Sequence, residues 1–219
     1  MKIILLPGAG CRPSFYDSVT TMLSNCNILT FKGKTLEAMA ADLASKLTLE
    51  DNEDFIVVAH CFSGLVLTKT ISNNLFKYLR GVVLCNSILD FSFISREDLS
   101  KNTGEHPSDY AGDPYNPEIV LEAQHQVFSK DVVDGQLDVA LSTDLRDLGK
   151  YYYVPVLVLG SDKDGYFSVE RFKETQHLIP NSKLVIVKNA RHLGLISHRD
   201  EYLEIINNWS SKLKEVSLC

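Results

Sequence analysis

The sequence predicts an α/β domain: a mostly parallel sheet with helices packed on both faces. Two observations carry this expectation. Short, fully apolar runs alternate with segments whose apolar residues recur at helical spacing, the pattern of doubly buried strands joined by crossover helices. Small and polar residues then cluster where those runs stop, as in Pro7-Gly8-Ala9-Gly10, His60-Cys61-Phe62-Ser63 and Gly160-Ser161-Asp162-Lys163-Asp164-Gly165. Ligands of parallel sheets sit beyond the carboxyl ends of the strands, so these stretches are the first places to look for chemistry. A chain of 219 residues, 45% of them hydrophobic, suits one domain with a packed core.

The elements follow in order. Ile3 to Leu6 is a short apolar strand that Pro7 stops. Helix-compatible sequence runs from Ser14 to Leu23, and Asn27 to Phe31 reads as a second strand. Thr35 can cap a helix on which Leu36, Met39, Ala40, Leu43 and Leu47 share a face. Phe55 to Val58 is a third strand, followed almost at once by a helix from Phe62 to about Tyr78. Gly81 to Cys85, Val154 to Leu159 and Leu184 to Val187 are further strands, with a helix over Val169 to Leu178 between the last two. From Asp200 to Leu213, Leu203, Ile206, Trp209 and Leu213 make one apolar face, and acids occupy the first turn where the helix dipole favours them.

Residues 91–149 break the alternation. This stretch is polar, carries turn signals such as His106-Pro107 and Gly112-Asp113-Pro114, and holds 4 basic residues against 12 acidic ones. The expected organisation is a core of residues 1–90 and 150–219 with 91–149 inserted as a cap or lid. Phe91, Phe93, Ile94, Val120, Leu121, Val127 and Phe128 are candidates for an apolar wall facing a substrate. A net charge of −6 without a basic cluster argues against nucleic-acid binding. Five scattered cysteines, Cys11, Cys26, Cys61, Cys85 and Cys219, show no zinc-type spacing and read as free thiols in a reducing compartment. The first apolar run is too short for a signal peptide and no later run could span a bilayer, so a soluble, cytoplasmic protein without a membrane partner is expected.

Cys61 is the candidate nucleophile. Ala59 lies two residues before it and Ser63 two after, the small-x-nucleophile-x-small pattern of a sharp strand-to-helix elbow, where bulky neighbours would collide. An ordinary thiol, with a pKa of about 8.5, is mostly protonated at neutral pH and gains from a neighbouring imidazole. His192 follows the last strand in a loop and is the candidate base. His60 adjoins Cys61 but points elsewhere around the turn and reads as structural, whereas His106, His125, His177 and His198 read as solvated. The orienting acid is expected after the strand ending at Leu159, where Asp162 and Asp164 compete. Developing negative charge needs fixed donors. Phe62 N–H at the start of the helix is one candidate, and Ala9 N–H in the glycine loop the other, with Gly10 as its alternate. Neither G-x-G-x-x-G nor a phosphate-binding lysine accompanies that loop, so nucleotide binding is not expected.

Taken together these stretches resemble the α/β-hydrolase fold superfamily, as a compact esterase- or thioesterase-like member with cysteine at the elbow. Leu5 to Gly10 is similar to the oxyanion loop, Ala59 to Gly64 to the elbow, and Gly81 to Asn86 to the strand after it. Val154 to Gly160 followed by aspartate resembles the acid-bearing strand, and Ala190-Arg191-His192 the histidine loop. The nucleophile–acid–histidine order is that of these enzymes. In that pattern the acid precedes an apolar pair and a helix, which favours Asp164-Gly165-Tyr166-Phe167-Ser168 over Asp162. The first strand here corresponds to the third of the full fold, which implies a sheet of about six strands. Pro7 stands where a histidine is frequent, and Cys61 replaces the usual serine.

The resemblance implies a carboxylesterase-like acyl hydrolase acting on a small neutral or apolar ester, with a Cys61–His192–Asp164 triad, a covalent acyl-enzyme and no cofactor or metal. A thioesterase or acyltransferase, or a catalytically weak ligand-binding protein, are the alternatives. A redox pair of Cys11 and Cys61 is a third. The acidic insertion disfavours docking an acidic carrier protein or a polyanionic coenzyme A.

Overall fold

The computed structural model describes residues 1–23, 25–95, 97 and 130–216. The strands β1 (Lys2–Leu6), β2 (Cys26–Ile28), β3 (Phe55–His60), β4 (Leu79–Cys85), β5 (Val156–Ser161) and β6 (Ser182–Val187) form one sheet. Their order is β2-β1-β3-β4-β5-β6, and every neighbouring pair is parallel. The helices among the described residues are α1 (Asp17–Thr20), α2 (Leu36–Glu50), α3 (Ser63–Asn73), α4 (Lys130–Leu141), α5 (Val169–Leu178), α6 (Gly194–Ser197) and α7 (Arg199–Val216).

Strand side chains alternate between two separate apolar layers. Ile4, Leu6, Val57, Ala59, Val82 and Leu84 face a core shared with α2, α3 and α5. Ile3, Leu5, Ile56, Val58, Val83 and Cys85 face a second core under α1, α6 and α7, filled by Tyr16, Tyr202 and Trp209. Both faces of the central strands are therefore dry, which is why their sequences are continuously apolar. Thr35 caps α2 by accepting a hydrogen bond from Ala38 N–H at 3.2 Å, and the five apolar residues expected on that helix are all buried.

Several boundaries differ from those expected. The helix after Cys61 begins at Ser63 and stops at Asn73, well short of Tyr78. Asn74 is extended and its side chain takes the Thr70 carbonyl, while the Asp51 carboxylate receives Lys77 and Tyr78 N–H at 2.9 and 2.6 Å. Those side-chain bonds satisfy backbone groups that a longer helix would have used. The segment expected as one helix from Ser14 is split into a 3-10 turn, Pro13–Tyr16, and α1. β2 is a short edge strand, so Cys26 is only partly buried, whereas Cys85 is fully buried.

The chain departs from the sheet after β4 and is stitched to itself where it returns. Leu145 N–H donates to the Leu89 carbonyl at 2.7 Å, Phe91 N–H to the Thr143 carbonyl at 3.1 Å, and Asp90 pairs with Asp144. Residues 98–129, with Val120, Leu121, Val127, Phe128, His106 and His125, lie outside the described residues. Among the described residues, no helix is long and apolar enough to cross a membrane, and no group of three or more His, Cys, Asp and Glu could hold a metal ion.

Candidate active site

Cys61 sits one residue past β3 with φ 53°, in the left-handed region that residues other than glycine rarely adopt. Such a conformation costs on the order of 1–3 kcal/mol and persists only where the surroundings enforce it. Here they do. Cys61 N–H donates to the Cys85 carbonyl at 3.0 Å, and the Cys61 carbonyl accepts from Ser87 Oγ at 2.6 Å and from Gly64 N–H at 3.0 Å. Ser63 Oγ donates to the Pro7 carbonyl, joining the elbow to the loop after β1. Ala59 and Ser63 are fully buried, so the two small positions are small because packing leaves no room.

The loops after β5 and β6 meet at this elbow. Three consecutive residues hold the histidine loop: Ser161 Oγ donates to the Arg191 carbonyl at 2.8 Å, Asp162 N–H to the Val187 carbonyl at 3.1 Å, and Lys163 N–H to the Ala190 carbonyl at 3.0 Å. The Asp162 carboxylate accepts Asn189 N–H at 2.7 Å, which leaves it as a brace of that loop. Asp164 instead reaches the imidazole, with His192 Nδ1 at 3.0 Å from Oδ2 and 3.2 Å from Oδ1. A carboxylate only accepts, so Nδ1 carries the hydrogen. The ring's Nε2 is left free of Asp164, and the imidazole stands near enough to Cys61 for the two groups to interact electrostatically. The rings of Tyr166, Phe167 and His60 pack around His192, with centroids 4.6, 5.4 and 5.4 Å away.

The Asp164 side chain is fully buried, yet its carboxylate is supplied with donors on both oxygens. Tyr166 and Phe167 N–H reach Oδ1 at 2.9 and 3.1 Å, and Asn86 Nδ2 reaches Oδ2 at 2.9 Å. Burial alone would raise this acid, but the His192 charge and those donors hold it below the usual carboxylate range. Burial alone would likewise lower His192. The Asp164 carboxylate, and then Cys61, outweigh it and push the imidazole up to about 10. Asn86, itself left-handed at φ 43°, is held in turn by Tyr202 Oη, which donates to its Oδ1 at 2.9 Å, and its Nδ2 also meets Ser161 Oγ at 2.6 Å.

The loop after β1 offers three consecutive N–H groups. Gly8 N–H donates to Tyr16 Oη at 2.9 Å, and Gly10 N–H to Gln136 Oε1 of α4 at 2.6 Å. Among the described residues neither Ala9 N–H nor Phe62 N–H has a hydrogen-bond acceptor. Those two are the donors expected from the sequence, and the alternate, Gly10, is already engaged. Gly10 has φ 73°, and a Cβ there would lie 2.8 Å from Val133, so α4 packs directly on this turn.

Asn86, Tyr16 and Gln136 were not anticipated from the sequence. Asn86 follows a strand end and the same rule that flagged Cys61 would have found it. Nothing local marks the other two.

A parallel sheet with a strained cysteine elbow, an aspartate-held histidine and a glycine loop at one edge defines the class: this is the α/β-hydrolase fold. Solved structures agree. A lipase-esterase related protein from Clostridium acetobutylicum superposes with a TM-score of 0.82 at 18% identity, over 94% of this chain and 93% of its own. An esterase from Exiguobacterium antarcticum gives 0.79 at 13% identity over 98% and 92%, and an enol-lactonase from Burkholderia xenovorans 0.78 at 17% over 96% and 91%. In sequence the chain is 27% identical to a pimeloyl-[acyl-carrier protein] methyl ester esterase from Aliivibrio fischeri over 97 residues, 42% of this chain and 38% of that relative's length. No protein-family model matches the chain.

Proposed function

We propose that the protein is a carboxylesterase-like acyl hydrolase acting on a small neutral or apolar ester. The observation that carries this reading is the Cys61 elbow facing a His192 whose Nδ1 is held by buried Asp164. Cys61, with its proton on His192, attacks the ester carbonyl. The resulting oxyanion rests on Phe62 and Ala9 N–H. Protonated His192 gives its proton to the departing alcohol, leaving an acyl-thioester on Cys61. His192 then takes a proton from water, whose oxygen attacks the thioester. Collapse of that second intermediate releases the acid and returns the thiolate–imidazolium pair. No step uses a metal or cofactor.

The esterase, lactonase and pimeloyl ester esterase named among the similar proteins support ester chemistry. Residues 91–149 act as the cap, a reading supported by the Leu89–Leu145 stitch at their base and by the seating of α4 on Gly10. Incubation with short-chain p-nitrophenyl esters should give product and a transient acyl-Cys61 adduct by intact mass, both lost in Cys61→Ala. Unchanged turnover in that variant would sink the assignment. Tight reversible binding with neither adduct nor product would instead favour a ligand-binding role. Iodoacetamide should alkylate Cys61 ahead of Cys26, whose thiol burial pushes up to about 11, and of fully buried Cys85.

A further inference from the structure

We propose that Tyr16 and His60 are positioning residues that hold the oxyanion loop and the histidine loop in register with the elbow. The inference rests on the acyl-transfer reading of the same site and deepens it. Three hydrogen bonds run in one line: Gly8 N–H to Tyr16 Oη at 2.9 Å, Tyr16 Oη to His60 Nδ1 at 2.8 Å, and His60 Nε2 to the His192 carbonyl at 3.2 Å. Its polarity follows from its ends. The His192 carbonyl cannot donate, so His60 Nε2 carries a hydrogen. A neutral His60 then has a bare Nδ1, which accepts the Tyr16 phenol hydrogen, and the phenol oxygen is free to accept Gly8 N–H. Burial, reinforced by the His192 charge, pushes His60 down to about 3 and keeps it in that neutral form. Tyr16 is 0% and His60 1% exposed, so water cannot take over either partner.

The line therefore ties together the loop after β1, the end of β3 and the loop after β6, which carry the oxyanion donor, lead into the nucleophile and carry the base. It also accounts for Gly8, because a Cβ there would stand 2.9 Å from His60 Nδ1. Gly8 directly precedes Ala9, the one N–H of its loop without an acceptor among the described residues, so a shift of Gly8 moves that donor.

Tyr16→Phe cuts the line at Gly8 and leaves the His60–His192 bond in place. In the full-length protein, kcat for p-nitrophenyl butyrate should fall about 10- to 100-fold, because a misplacement near 1 Å has that order of effect. KM should stay within about threefold. Alkylation of Cys61 by iodoacetamide proceeds at a saturated carbon and needs no oxyanion donor, so its rate should change by less than about twofold. His60→Leu severs both ends and should slow alkylation as well as acyl transfer. A Tyr16→Phe variant with unchanged kcat, or with alkylation slowed as much as acyl transfer, overturns the proposal. Wild-type protein that forms no acyl-Cys61 adduct would refute the hydrolase reading instead. In that event the imidazole and Gly8 resonances still decide the matter. An Nε2–H tautomer at His60, with a Gly8 amide shift that moves in Tyr16→Phe, supports the line, whereas an Nδ1–H tautomer or an unmoved Gly8 amide overturns it.

Discussion

Replacing Asp164 with asparagine changes one carboxylate oxygen into an amide, and the geometry dictates which one. Oδ1 accepts from two backbone groups, Tyr166 and Phe167 N–H, and backbone cannot rearrange to suit the new side chain. The asparagine oxygen therefore stays there and its NH2 takes the place of Oδ2. That NH2 now faces two donors, Asn86 Nδ2 and His192 Nδ1. The imidazole escapes the clash by moving its hydrogen to Nε2 and accepting at Nδ1, and it then has no lone pair for Cys61. A base held in the wrong tautomer costs about 10³- to 10⁴-fold in kcat, equivalent to about 4–5.5 kcal/mol of lost barrier reduction. KM should move by less than about threefold, because Asp164 is buried behind His192 and makes no substrate contact. Steady-state hydrolysis of p-nitrophenyl butyrate, run beside a folding check by circular dichroism, reads the effect. A folded Asp164→Asn protein with kcat within fivefold of wild type would refute the tautomer reasoning.

Two further outcomes concern stability. The raised pKa of folded His192, about 10 against an ordinary 6.5, adds stability that is fully present below about pH 6.5 and is lost as the pH climbs through 10. His60 works in the opposite sense: depressed to about 3, its contribution is complete above pH 6.5 and is lost as the pH falls toward 3. The urea midpoint should therefore peak near pH 6.5, with Asp164→Asn flattening the alkaline side, and a midpoint that rises steadily from pH 6.5 to 10 would contradict the His192 assignment. Asn86→Ala leaves Asp164, Ser161 and Tyr202 short of a partner and places a Cβ residue at φ 43° without the local hydrogen bonding that asparagine offers there. A loss of about 3 kcal/mol is expected, or roughly 6–12 °C in Tm for a chain of this size. A shift under 1 °C in a calorimetric scan would show that the network carries little of the fold's stability.

The sequence by itself determined the layering. Strand and helix periods are local properties, so the continuous apolar run of Phe55 to Val58 and the helical face from Leu36 to Leu47 declared their burial without reference to anything distant. Val169 to Leu178 matched residue for residue. Cys61, His192 and the two aspartates were legible for a related reason, since each follows a strand and parallel strands end at a common edge. What the sequence left open were choices between near neighbours and partners far apart in the chain. Asp162 and Asp164 differ by one turn of loop, and only the path from β5 past the histidine loop sends one carboxylate to His192 and the other to Asn189. Ala9 and Gly10 were separated by Gln136, which arrives from a helix within the acidic stretch and occupies Gly10 N–H. Tyr16 drew no reading of its own beyond helix-compatible sequence, and His60 read only as structural, until packing brought the phenol between a glycine amide and a buried imidazole. Local pattern encodes which face is buried. Which polar groups meet on that face is set by the packing of whole elements, and only the tertiary structure holds that information.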